Sequence, residues 1–164
     1  MMEEQESQYN PMEIAGPITM LSRSKIAYMS RELKPYGFGW GDYDFLMMLY
    51  YRKEGVSQEN LAKSLTVSKT TSMRAIKKLE SEGYIFRKQD ENDRRAYKVY
   101  LTEKGKAIQE TIWQKLADWD NMIFSEFSSE ERDNLKLLLK KACDPIYSEI
   151  GLDVDEASIS HDPK

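Results

Sequence analysis

The sequence predicts a mainly helical protein with one small β wing, an α+β arrangement. Apolar residues recur at steps of three and four over most of the chain, the spacing of one helix face. Only 96–101 alternates with the period of a half-buried strand. A basic segment, 57–106, lies between two segments of net negative charge.

Taken in order, the polar residues 1–12 contain Asn10-Pro11 and are expected to form a flexible arm. One domain is expected over 13–150. Pro17 suits the first turn of a helix, and Ile18, Leu21, Met29 and Leu33 repeat at helical spacing until Lys34-Pro35 stops the run. Tyr36-Gly37-Phe38-Gly39-Trp40-Gly41 reads as a glycine-rich aromatic turn. Asp42 is placed to cap a helix carrying Phe45, Leu46, Met48 and Leu49, ending near Glu54-Gly55. Ser57 is the N-cap of a short helix with Leu61, Ala62 and Leu65 on one face.

Thr66-Val67-Ser68 then leads tightly into a helix over 69–82, closed by Gly83. Strands over 84–88 and 96–101 flank a polar tip, Gln89-Asp90-Glu91-Asn92-Asp93-Arg94-Arg95. Thr102 is placed to cap a long helix with the stripe Ile108, Ile112, Leu116, Trp119, Ile123 and Phe127. Ser128 and Glu131 make a capping box for a final helix bearing Leu135, Leu138, Leu139, Ala142 and Ile146. Pro145 is expected to kink or end that helix. The acidic residues 151–164 are expected to be disordered.

Composition narrows the function classes. The 164 residues are 40% hydrophobic and 32% charged, as in a soluble globular chain. No apolar run approaches the roughly 18 residues of a membrane span. The opening Met1-Met2-Glu3-Glu4 is acidic where a signal peptide is basic. A lone Cys143 and a lone His161 exclude an internal disulfide and a zinc site built from those residues. The expectation is a cytoplasmic, reduced protein with no metal, no cofactor and no membrane partner. Without a Ser–His or His–Cys constellation or a phosphate-cradling glycine loop, an enzyme is not expected.

The formal charge of −4 conceals a pattern. Residues 57–106 hold 12 Lys/Arg against 7 Asp/Glu, a net of +5, whereas 1–56 carry −2 and 107–164 carry −7. Such asymmetry points to a polyanion, although a solvated basic face would look the same. The order helix, tight turn, helix, hairpin decides for double-stranded DNA, being that of a winged helix-turn-helix. In the helix over 69–82, Ala75, Ile76 and Leu79 can face the core, with Lys69, Thr70, Met73, Arg74 and Lys77 near the opposite side. Arg74 suits a bidentate guanine contact, and Thr70 or Thr71 a thymine methyl or a phosphate. Ser68 and the unbonded N–H groups of the first turn suit a phosphate clamp. Ser57 and Lys77 complete the candidate contacts of the two helices. At the hairpin tip, Arg94 and Arg95 suit a narrow minor groove, with Asp93 orienting an arginine through a bidentate pair.

Just before the basic module, Tyr36, Phe38, Trp40, Tyr43 and Met47 belong to a dense aromatic and methionine cluster. They are candidates for lining a small-molecule pocket, and equally for ordinary core. The end segments 13–34 and 107–150 each carry an apolar stripe, so together they can pack and still bury surface against a second copy.

These residues resemble the MarR family of transcription regulators. The resemblance rests on Leu61-Ala62-Lys63-Ser64-Leu65-Thr66-Val67-Ser68, on Ile76-Lys77-Lys78-Leu79-Glu80-Ser81-Glu82-Gly83-Tyr84-Ile85, on Asp90-Glu91-Asn92-Asp93-Arg94-Arg95-Ala96 and on Leu101-Thr102-Glu103-Lys104-Gly105. It implies a homodimer built by 13–34 and 107–150, carrying a winged module over 42–106. It also implies repression at a palindromic operator, released by a small phenolic or lipophilic effector at the junction between those parts. Carried over, Asp93 and Arg95 are the wing pair, and Ser68, Lys69, Thr70 and Arg74 hold recognition-helix positions. Three positions depart: Thr66 stands where glycine is frequent, Asn92 where the wing often has arginine, and Ser72 where an aliphatic residue is common. Cys143 lies near the last apolar stripe, not near the first helix where the family's redox sensors place theirs. A winged-helix adaptor that binds proteins without reading DNA is the alternative.

Overall fold

The computed structural model describes residues 10–39, 41–52, 55–91, 93 and 95–150, with side chains to residue 146. Trp40, Arg94, Asn92, the first nine residues and the acidic segment 151–164 lie outside the described residues.

Helix α1 (Met12–Glu32) starts where Asn10 Oδ1 accepts the Met12 N–H at 3.1 Å. Pro17 therefore falls inside the helix instead of in its first turn, at a stretch exposed enough for water to serve the unpaired carbonyl. The chain then makes a short 3₁₀ turn, Lys34–Tyr36, and reverses at Gly37 with φ of 87°. Helix α2 (Asp42–Tyr51) takes Gly41, at φ 75°, as its N-cap. Asp42 is thus the first helical residue and caps nothing; its carboxylate accepts from the Gly39 N–H and from Lys78 Nζ.

A two-residue strand, β1 (Val56–Ser57), precedes helix α3 (Gln58–Ser64), whose N-cap Ser57 Oγ accepts the Asn60 N–H at 3.1 Å. The turn into helix α4 (Lys69–Ser81) places Thr66 at φ 52°, the left-handed region that a β-branched residue resists. Its backbone is held by Thr66 N–H to Lys63 O at 2.9 Å and Val67 N–H to Ala62 O at 3.0 Å. Strands β2 (Ile85–Gln89) and β3 (Tyr97–Leu101) form the hairpin, and β1 joins β3, giving the antiparallel order β1-β3-β2. The register pairs Ile85 with Leu101 and Val56 with Val99. A two-residue strand carries too little periodicity to be read from sequence, so β1 emerges only here.

The long helix expected after Thr102 is two: α5 (Glu103–Ala107) and α6 (Gln109–Ile123). At the break, the Gly105 carbonyl accepts the Tyr50 hydroxyl at 2.6 Å, a bond from 55 residues away. Gly105 also packs against the backbone just before β2, since a Cβ there would stand 2.1 Å from the Tyr84 carbonyl oxygen. Phe127 lies beyond α6 and meets Phe124 edge-on at 5.2 Å. Helix α7 (Ser129–Ile150) opens with the expected capping box, Glu131 N–H to Ser128 Oγ at 3.2 Å and Ser128 N–H to Glu131 Oε2 at 2.8 Å. It does not end at Pro145 but continues through it.

The core gathers Leu46 and Leu49 of α2, Leu61 of α3, Ile76 and Leu79 of α4, Ile85 and Val99 of the sheet and Ile112 of α6. Helix α1 joins it through Met29 and packs on α6, where Lys115 Nζ lies 3.3 Å from Glu32. Helix α7 is different: Leu137, Leu138, Leu139 and Ile146 are all exposed, as are Met12, Ile14 and Ile18 of α1. No described helix is long and apolar enough to cross a membrane.

Candidate nucleic-acid interface

Helix α4 is built with two unlike faces. Ser72, Ala75, Ile76 and Leu79 are buried, and Lys69, Thr70, Met73, Arg74 and Lys77 point outward, as their 3.6-residue spacing requires. Ser68 Oγ caps the helix by accepting the Thr71 N–H at 3.1 Å and also pairs with Thr71 Oγ1 at 2.9 Å. The first-turn N–H groups of Lys69 and Thr70 thus stay at the exposed helix N-terminus, where an anion is favoured. Ser57 holds the equivalent cap of α3 and is half-buried.

The hairpin tip is shaped by its acidic residues. Asp93 Oδ1 accepts the backbone N–H of Arg95 at 2.9 Å, so this carboxylate sets the turn through the main chain. Asp90 Oδ1 accepts the Asp93 N–H at 3.3 Å while Oδ2 lies 3.3 Å from Lys98 Nζ. Lys88 pairs with Glu91 at 2.8 Å, which draws that carboxyl below its usual pKa and raises the lysine.

The pairing of charges sorts the module's cations. Lys78 is held by Asp42, Arg87 by Glu80, Lys88 by Glu91, Lys98 by Asp90 and Lys106 by Glu103. Lys104 donates to the Glu82 carbonyl at 2.6 Å and sits over the Tyr84 ring. Among the described residues, Lys63, Lys69, Arg74, Lys77 and Arg95 have no such partner. Three of these lie on α4, one at the end of α3 and one at the wing tip. Sequence reasoning named all but Lys63, which simple proximity to the turn would have flagged. It could not see that Arg87 is occupied, because Glu80 holds it through Nε at 3.0 Å and Nη2 at 2.6 Å.

The aromatic segment is split between core and rim. Phe38, Tyr43 and Met47 are buried in the core, and Tyr36 is exposed with its carbonyl accepting the Tyr84 hydroxyl at 2.7 Å. Burial pushes the Tyr43 and Tyr50 hydroxyls well above the usual phenol range. Beside this segment, a cavity of about 560 Å³ opens between α2 and α4, lined in part by Asp42, Asp44, Phe45, Thr71, Arg74 and Lys78. Burial raises the Asp44 carboxyl, with Lys25 opposing the shift.

Against known proteins, the model of the MarR family matches residues 40–97, spanning α2 to the first residue of β3. The HTH-type transcriptional regulator YybA of Bacillus subtilis is 33% identical over 79% of this chain and 85% of its own length. The chain belongs to the MarR family. Its winged helix-turn-helix is shared by a MarR transcriptional regulator from Methanosarcina mazei, 39% identical with a TM-score of 0.76, covering 87% of this chain and 99% of that one. A MarR-family regulator from Listeria monocytogenes, solved with a 26mer DNA, is 27% identical with a TM-score of 0.75, covering 84% and 91%. This MarR-family protein is accordingly a helix-turn-helix transcriptional regulator, with α3 and α4 as the helix-turn-helix and β2–β3 as the wing.

Proposed function

We propose that this MarR-family protein is a cytoplasmic homodimeric repressor that reads a palindromic operator and is released by a small-molecule effector. The observation that carries DNA reading is the set Lys63, Lys69, Arg74, Lys77 and Arg95, unpaired among the described residues of a module in which carboxylates hold Lys78, Arg87, Lys88, Lys98 and Lys106. Arg74 and Thr70 face base edges in the major groove, Ser57, Ser68, Lys69, Thr71 and Lys77 follow the backbone, and Asp93 holds the turn that presents Arg95 to the minor groove, where Arg94, outside the described residues, is the second candidate. The exposed apolar residues of α1 and α7 support a second copy of the chain covering them, with two α4 helices set about 34 Å apart. The cavity between α2 and α4 supports a phenolic or lipophilic effector, because an occupant there touches Arg74 and Lys78 on the reading helix itself. Of the segment proposed to meet that effector, Phe45 lines the cavity, whereas Tyr36, Phe38, Tyr43 and Met47 are not in its lining and Trp40 lies outside the described residues.

The test is selection of genomic fragments by the purified protein at about 150 mM salt, with sedimentation velocity on the same sample. A recovered palindrome with half-sites about one helical turn apart, bound by a dimer, is the expected result. Fragments no richer than the input would overturn operator reading, and a monomer at micromolar concentration would overturn the dimer.

A further inference from the structure

We infer that Met73 is a specificity-determining residue of this regulator, and that it reads the C5-methyl group of a thymine in each operator half-site. The inference rests on the operator reading proposed above. Met73 follows Thr70 by three residues and precedes Lys77 by four, so it occupies the middle of the outward row of α4. It is 41% exposed there. A single exposed apolar side chain on a surface needs no explanation by itself. Its surroundings are what give this one meaning.

The first of these is charge. Met73 is flanked by Lys69, Arg74 and Lys77, none of which has an acidic partner among the described residues. An apolar protein surface covering Met73 would have to desolvate those three cations. A DNA groove covers the thioether and supplies phosphates to the cations at the same time. Within the major groove, the one apolar group that a base edge presents is the thymine methyl.

The second is space. Ser72, the neighbour of Met73, is 2% exposed, and its Oγ has no hydrogen-bond partner. Behind the pair a cavity of about 320 Å³ separates α3 from α4, lined by Gln58, Glu59, Ala62, Lys69, Ser72 and Met73. An aliphatic residue at 72 would fill part of that volume and buttress position 73. With serine there, Met73 has room to move between the cleft and the groove. An unbranched thioether with three rotatable bonds is the side chain best able to use such room and settle on a small apolar target.

The experiment uses the full chain and the operator recovered by genomic selection, with each thymine replaced in turn by deoxyuridine, which removes the methyl and keeps every hydrogen-bonding group. Wild type should lose about fourfold in affinity at one thymine per half-site, the loss expected for burying one methyl. Met73→Ala should bind the unmodified operator about fourfold more weakly and be indifferent to deoxyuridine at that position. Met73→Leu, which keeps an apolar side chain, should retain the penalty, and circular dichroism of both variants checks the fold. Deoxyuridine indifference of wild type at every position, or an unchanged penalty in Met73→Ala, overturns the assignment while leaving operator reading intact. Failure to recover any operator overturns both.

Discussion

Arg87 and Glu80 join the wing to the end of α4, with the guanidinium contacting the carboxylate through Nε at 3.0 Å and Nη2 at 2.6 Å. The pair spans seven residues and the tight turn at Gly83, and Arg87 also lies over the Tyr97 ring of β3. The carboxylate holds the Arg87 pKa above its usual value. Both side chains are one-third exposed, so solvent discounts the pair, and Glu80→Gln should cost about 1 kcal/mol. Hydrogen exchange should quicken across 85–89, because the wing loses its tie to α4; protection unchanged there would show that the sheet alone holds it.

Arg95 is the described cation at the wing tip without a partner. Arg95→Ala should weaken operator binding and reduce the slope of log affinity against log salt by about one unit. Arg87→Ala provides the contrast, since a guanidinium already neutralised by Glu80 releases few counterions. Equal slopes for wild type and Arg95→Ala would remove the wing tip from DNA contact.

Asp42 links the turn before α2 to α4. Its Oδ2 accepts from Gly39 N–H and from Lys78 Nζ, 36 residues away. Asp42→Ala leaves the Gly39 N–H without its acceptor and should cost about 2 kcal/mol in urea unfolding. Asp42→Asn keeps one oxygen acceptor and should lose less. An equal loss in both would mean that the ion pair to Lys78 carries all of the effect.

Thr66 carries backbone strain at φ 52°. Thr66→Gly relieves a left-handed cost of about 1–2 kcal/mol and gives back part of it as unfolded-chain entropy. The melting temperature should rise by about 2–4 °C, with operator affinity unchanged. A fall would show that the threonine side chain contributes more than the strain removes.

The α7 capping box makes its start sensitive to acid. The Ser128 backbone N–H, and next its hydroxyl, hold the Glu131 carboxyl below the ordinary glutamate range. A depressed folded-state pKa stabilises above the unfolded value and is lost as pH falls through the folded one. Wild type should therefore exceed Glu131→Gln in melting temperature at pH 7, and the two should converge as pH falls below about 4. A gap that persists in acid would assign the effect to the side chain's shape.

The legible parts of this molecule were the local ones. Ser57, Thr102 and Ser128 read as caps because a cap is a bond between residues three apart, and each is made as expected; Ser68, read as part of a phosphate clamp, proves to be a cap as well. Residues 69–82 read as a two-faced helix because periodicity alone divides Ile76 and Leu79 from Lys69 and Arg74, and the helix runs Lys69–Ser81. Asp42 was misread as a cap, since its true partner Lys78 is unrelated to it by any local spacing. Pro145, expected to kink or end its helix, does not end it; α7 is exposed there, and water can serve the carbonyl that a proline frees.

The sequence by itself determined the order of the elements, the basic module and the family, because these depend on spacing, caps and composition along the chain. Tertiary structure decided the rest. It broke the long helix at Ile108, where Tyr50 takes the Gly105 carbonyl, and it added β1 to the edge of β3. Among the described cations of the module it left Lys63, Lys69, Arg74, Lys77 and Arg95 without partners and paired Lys78, Arg87, Lys88, Lys98 and Lys106 with carboxylates. It also left the apolar residues of α1 and α7 uncovered. Whether a charge is neutralised or an apolar stripe buried depends on side chains remote in sequence, and only folding brings those within reach.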